Sequence, residues 1–137
     1  MSNRIHLKGI ASRQEEALAH AAITPGDLIA LNAAGKVLRH ATAGGVAERA
    51  FALEDALQGR GIGTDYAADD VVTYILAVPG DEVLARIAAD ETIVKGDKLS
   101  SAGNGLLVKQ AAAAVTVAIA MAATDVATVA RIPVRVV

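Results

Sequence analysis

Hydrophobic positions in this chain recur mostly with a period of two, the spacing of side chains on one face of an extended strand. Val83, Ala85 and Ile87 alternate with Leu84, Arg86 and Ala88, and Ile132, Val134 and Val136 share a face opposite Arg131, Pro133 and Arg135. Residues 50–53 and the β-branched run 71–78 also read as strands. Val115, Val117, Ile119 and Met121 alternate with Ala114, Thr116, Ala118 and Ala120, so both faces there are small or apolar and the strand is expected to be buried on both sides, in the core or at a subunit interface. Pro133 lacks a ladder donor, which predicts an edge or a bulge for the last strand. Residues 57–70, rich in Gly and Asp, are the longest predicted loop, with a short helical turn over 66–70.

A weak duplication with an offset of 70 residues organises these strands. Ile23-Thr24-Pro25-Gly26-Asp27-Leu28 and Gly35-Lys36-Val37-Leu38-Arg39 match Ile93-Val94-Lys95-Gly96-Asp97-Lys98 and Gly105-Leu106-Leu107-Val108-Lys109. Each copy reads as turn, strand, tight turn, strand. Gly26 and Gly96 supply the backbone freedom, and the following Asp can bond its own backbone. Residues 14–22 have helix-favouring composition, but the repeat aligns them with an extended segment, which predicts a strand. The expectation is all-β: a small β-barrel or β-sandwich built from two quasi-repeated halves (about 15–56 and 85–123), with at most a short helix. Residues 13–137 form the domain and residues 1–12 a flexible N-terminal arm.

Composition narrows the function. The apolar fraction is 53% but aromatics are only 2%, with Phe51, Tyr66 and Tyr74 alone. Platforms that stack bases or sugars are therefore not expected. A net charge of -2 without a Lys/Arg cluster argues against nucleic acid, and the absence of Cys excludes disulfides and thiolate metal sites. The start carries no continuous apolar stretch of the signal-peptide kind, and the apolar segment 111–123 is shorter than the roughly 20 residues a spanning helix needs, so no membrane role is expected.

No catalytic, cofactor or metal constellation is legible. His6, His20 and His40 lack zinc-ligand spacing, and the carboxylates at Asp65, Asp69, Asp70, Asp81 and Glu82 lack a calcium-loop order. Gly59-Arg60-Gly61-Ile62-Gly63 lacks the phosphate-loop spacing and reads as a flexible loop that meets a partner. Ser12, Ser100 and Ser101 have no nucleophile-elbow context. The Gly-Asp turn and hairpin also suit a barrel-sandwich carrier or ligand-binding β module, but Lys36 and Lys98 lack the flanks of a modified lysine. The chain is therefore expected to be neither an enzyme nor dependent on a cofactor.

The Pro-Gly-Asp turn, the segment 50–62, the run Tyr66-Ala67-Ala68-Asp69-Asp70-Val71-Val72 and the turn Lys95-Gly96-Asp97-Lys98-Leu99-Ser100-Ser101-Ala102-Gly103 resemble the capsid cement (head decoration) proteins of tailed bacteriophages. The resemblance implies a protein made in the host cytoplasm that coats the exterior of the virion's expanded capsid. It implies a homotrimer bridging subunits of the major capsid protein, with no small-molecule substrate. Arg4, Ile5, Leu7 and Lys8 of the arm are then the expected capsid contacts, by strand addition to a capsid sheet edge, with a plain disordered tail as the other reading.

Overall fold

The computed structural model describes residues 3–9 and 13–137. Among them the strands are β1 (His6–Lys8), β2 (Gln14–Leu18), β3 (Leu28–Leu31), β4 (Val37–Arg39), β5 (Ala50–Ala52), β6 (Val71–Leu76), β7 (Glu82–Ile87), β8 (Thr92–Ile93), β9 (Lys98–Ser101), β10 (Leu107–Lys109), β11 (Ala118–Ala120), β12 (Thr124–Asp125) and β13 (Ala130–Val136). A 3-10 turn, Ala56–Gln58, is the helical element among the described residues, so the helical turn lies at the start of the long loop and not over 66–70. No helix there is long and apolar enough to cross a membrane.

Two small barrels result. The first runs β2-β6-β5-β3-β4 and closes through a parallel bridge between Ala19 and Val37. The second runs β7-β13-β11-β9-β10 and closes through the parallel pairing of β10 with β7, with β1 added to the other end of β7. Of the two architectures the alternation allowed, both halves adopt the barrel.

The registers of the two halves superimpose. Leu28 opposite Phe51 opposite Ile75 corresponds to Lys98 opposite Ile119 opposite Arg135. Ile29 opposite Arg39 corresponds to Leu99 opposite Lys109. Thr73 opposite Glu16 and Val71 opposite Leu18 correspond to Pro133 opposite Leu84 and Arg131 opposite Arg86.

One turn, used four times, launches these strands. In 24–27, 67–70, 78–81 and 94–97 the Asp amide donates to the carbonyl three residues earlier, and its Oδ2 accepts that residue's amide at 2.8–3.1 Å. The third position has positive φ: 96° at Gly26, 66° at Asp69, 99° at Gly80 and 97° at Gly96. This is the demand of a type II turn, and glycine meets it without a steric penalty. Each turn hands the chain directly to β3, β6, β7 or β9.

The small bore of a five-stranded barrel explains the alanine content. Ala19, Ala50 and Ala52 share the first interior with Ile29, Val37, Val72 and Tyr74, while Ala85, Ala118 and Ala120 lie with Val83, Ile87, Leu99, Leu107 and Val134 in the second. Small residues alternate with large ones because so narrow a lumen cannot hold large side chains at every layer. Leu28, Phe51 and Ile75, on the outer face of the first barrel, belong to the second barrel's buried cluster and are fully inaccessible. They bind one barrel to the other.

One expectation changes here and one holds. β13 is not an edge strand, because it pairs with β7 along six residues and with β11 along three. Pro133 is tolerated because its carbonyl faces Met121, one residue past the end of β11, so its missing donor also lies beyond that ladder. Gln14–Leu18 is a strand as expected: five paired residues along β6 override its helix-favouring composition.

Candidate functional site

Residues 3–9 are part of the body of the protein. β1 pairs antiparallel with β7, the Ile5 carbonyl accepts from Leu84 at 2.7 Å, and the Ile5 amide donates to Glu54 Oε2 at 2.9 Å. Ile5 is fully buried in the core, so its side chain is not available for the capsid contact expected of it, while Leu7 is only partly buried against the same cluster. An isoleucine in this position gains more from the crevice between the barrels than from solvent. Arg4 and Lys8 do face outward, 3.9 Å from Glu54 and Glu82 respectively. Met1, Ser2 and residues 10–12 lie outside the described residues.

In the strand expected at 115–121, Val117, Ala118 and Ala120 are fully buried while Val115, Ile119 and Met121 are partly exposed. Ile119 is thus on the outer face. The barrel lumen admits the alanines of β11 and turns the larger residue outward, a preference invisible where both faces are apolar.

Several buried polar groups join the halves. Asp27 has no solvent exposure; its Oδ2 accepts from Arg39 Nε (2.7 Å) and the Thr24 amide (2.8 Å), and its Oδ1 from Arg86 Nη1 (2.7 Å) of the other barrel. Arg131 lies close by and donates to the Pro25 and Ile62 carbonyls, and burial, ahead of its Arg86 neighbour, lowers its pKa. The Ile62 amide donates to Asn3 Oδ1 at 3.2 Å, so the 59–63 loop is pinned on both sides of Ile62.

His40 and Ser101 form a buried pair that the sequence did not disclose. His40 Nε2 faces the Val46 carbonyl at 2.8 Å and so carries a proton, and in the neutral ring Nδ1 then accepts from the Ser101 hydroxyl at 2.7 Å. Ser101 is 1% exposed and also accepts from the Gly103 amide. Held this way the pair ties β9 to the first barrel; their separation of 61 residues gave no local motif to find. Among the described residues no group of three or more His, Cys, Asp or Glu could hold a metal, and Lys36 is ion-paired with Asp69 at 2.7 Å.

What faces solvent is a pair of unlike surfaces. On the second barrel, Lys98 and Arg135 flank Ile119 in one cross-strand row. On the first, Leu18 and Val71 sit directly opposite each other across β2 and β6, 43% and 51% exposed. A shallow groove of about 270 Å³ beside them is lined by Val71, by three carboxylates (Glu16, Asp55 and Asp70) and one cation (Arg60), and by Leu57, the last 87% exposed. A pair of exposed apolar side chains beside a third, rimmed by three carboxylates and one arginine, has the character of a contact surface.

No family model matches the chain, and no curated protein is detectably similar to it. Among solved structures, the chain shares its fold with the N base of head fiber gp8.5 of bacteriophage phi29: TM-score 0.60, 11% identity, covering 91% of this chain and 93% of that one.

Proposed function

We propose that this chain is a structural protein of a tailed-phage virion that binds the outside of the expanded head, as a homotrimer bridging major capsid subunits. The fold shared with the phi29 head-fiber N base, across nearly the full length of both chains, is the observation that supports it most. The composition agrees, as does the commitment of Asp27, His40 and Ser101 to internal links. In this reading the chain performs no reaction. A protein that binds only the expanded lattice stabilises it by mass action, because its binding free energy is added to one state alone.

Sedimentation with heads tests this. The purified protein should pellet with expanded heads and remain in the supernatant with unexpanded ones. Failure to pellet with either form, at protein concentrations well above those of the capsid sites, would overturn the proposal.

A further inference from the structure

We propose that copies of this chain associate head to tail, the β2/β6 face of one against the β9/β11/β13 face of the next; this rests on the oligomeric part of the function proposed above. The precedent lies within the chain. The outer face of the first barrel (Leu28, Phe51, Ile75) is already covered by the outer face of β7 and β13 on the second. Because the registers superimpose, each of these faces has a counterpart on the other barrel, and both counterparts are open.

The counterparts have diverged in complementary ways. The apolar row Leu28–Phe51–Ile75 becomes Lys98–Ile119–Arg135, an apolar centre between two cations. Leu84, Arg86 and Arg131 become Glu16, Leu18 and Val71, an apolar pair beside a carboxylate, with Asp55, Asp70 and a single cation, Arg60, on the same groove, so carboxylates outnumber cations there three to one. Joined, the two bring cations to carboxylates and Ile119 to the exposed Leu18, Val71 and Leu57, giving an apolar centre with a charged rim. An isologous two-fold contact would instead set Lys98 and Arg135 against their own copies, so like charges oppose that arrangement. A ring of three needs two different patches on every copy, and these two faces supply them.

Two single-face variants and their mixture test the inference. Glu16→Lys reverses the acidic face, and Lys98→Glu combined with Arg135→Glu reverses the basic one. These positions are exposed, and circular dichroism should show both variants folded. Light scattering over a dilution series should show the wild type as an oligomer that weakens as salt rises, and each variant alone dissociating at least about tenfold more readily. Mixed in equal amounts, the variants retain one intact face each and should form a dimer that grows no further. A monomeric wild type, variants that assemble like the wild type, or a mixture that stays monomeric would each overturn the inference. Pelleting of the wild type with expanded heads is read independently, so a failed interface and a failed capsid function are told apart.

Discussion

The two barrels share every strand pairing that can be compared, yet they use their outer surfaces oppositely. Asp27 and Asp97 occupy the same turn, each caps the amide three residues before it, and each pairs with a cation from the second strand of the hairpin that follows: Arg39 at 2.7 Å, Lys109 at 3.3 Å. Asp27 is sealed beneath the second barrel and takes Arg86 as a third partner, whereas Asp97 stays at the surface. Ladder and turn therefore set the barrel in each half, and the outer face is free to serve either folding or association. The first barrel spends one face on the fold; the second leaves its counterpart to solvent.

The sharpest way to break this comparison is to remove the two carboxylates in turn. Asp27→Ala leaves the mostly buried Arg86 without its carboxylate beside Arg131, and Arg39, which is partly exposed, with only Thr24 Oγ1; the uncompensated Arg86 charge sets a cost of up to about 3–5 kcal/mol. Asp97→Ala deletes an exposed cap and a surface ion pair and should hardly move the urea midpoint. Equal midpoints for the two variants would mean that the inter-barrel seam does not discriminate between them.

Next in size is the apolar row. Phe51→Ala opens a cavity among fully buried neighbours, at a cost of about 3–5 kcal/mol. Ile119→Ala, at the matching position, removes a partly exposed side chain and should cost well under half as much in a monomeric background. The order of the two losses, read from denaturation curves of both variants, checks the assignment of inner seam and outer face.

Much of this architecture was legible because it rests on local chemistry. The Gly-Asp turns, the β-branched alternation of β13 and the repeat all follow from residues close in sequence, and the repeat rescued Gln14–Leu18 from a helical reading. What was not legible depends on closure. Ile5 lies in a segment outside the duplication, so nothing local shows that it fills the crevice where the barrels meet. The face of β11 could not be chosen, since Ala118, Ile119 and Ala120 are all apolar and only lumen width separates them. Pro133 could not be placed without knowing that β11 stops one residue short of it. The two open faces were hidden for the same reason: Lys98, Ile119 and Arg135 form a row only after three strands have paired.

A smaller contrast comes from the turn glycines. Gly26 and Gly96 share φ values of 96° and 97°, so Ala at either position incurs backbone strain of about 1–2 kcal/mol. At Gly96 a Cβ would meet open space; at Gly26 it would land 2.9 Å from the Leu84 carbonyl and 3.2 Å from Arg86 Cγ. Gly26→Ala should therefore lower the melting temperature clearly more than Gly96→Ala. If the two shifts match, the barrels are less tightly apposed at this point than the structure indicates.

The mildest effect is expected at alkaline pH, and it separates the barrels because both tyrosines lie in the first. Tyr66 is 1% exposed and donates to the Leu53 carbonyl at 2.8 Å; burial, the main cause, pushes its pKa up to about 12 from the ordinary tyrosine value of 10.0. Burial also raises Tyr74, with its bond to Glu15 adding to the effect. A phenol harder to ionise in the folded state leaves stability unchanged below its unfolded pKa. Between that value and the folded one, ionisation of the unfolded chain draws the equilibrium away from the native state. Stability should thus hold up to about pH 10 and decline towards pH 12. The ultraviolet tyrosinate band should stay weak in native protein past the pH at which the urea-unfolded chain has ionised. Replacing Tyr66 with Phe removes the hydroxyl and its bond together, and should flatten the alkaline decline while lowering stability at neutral pH by about 1 kcal/mol. A variant that keeps the same alkaline slope would locate the pH response outside the lumen of the first barrel.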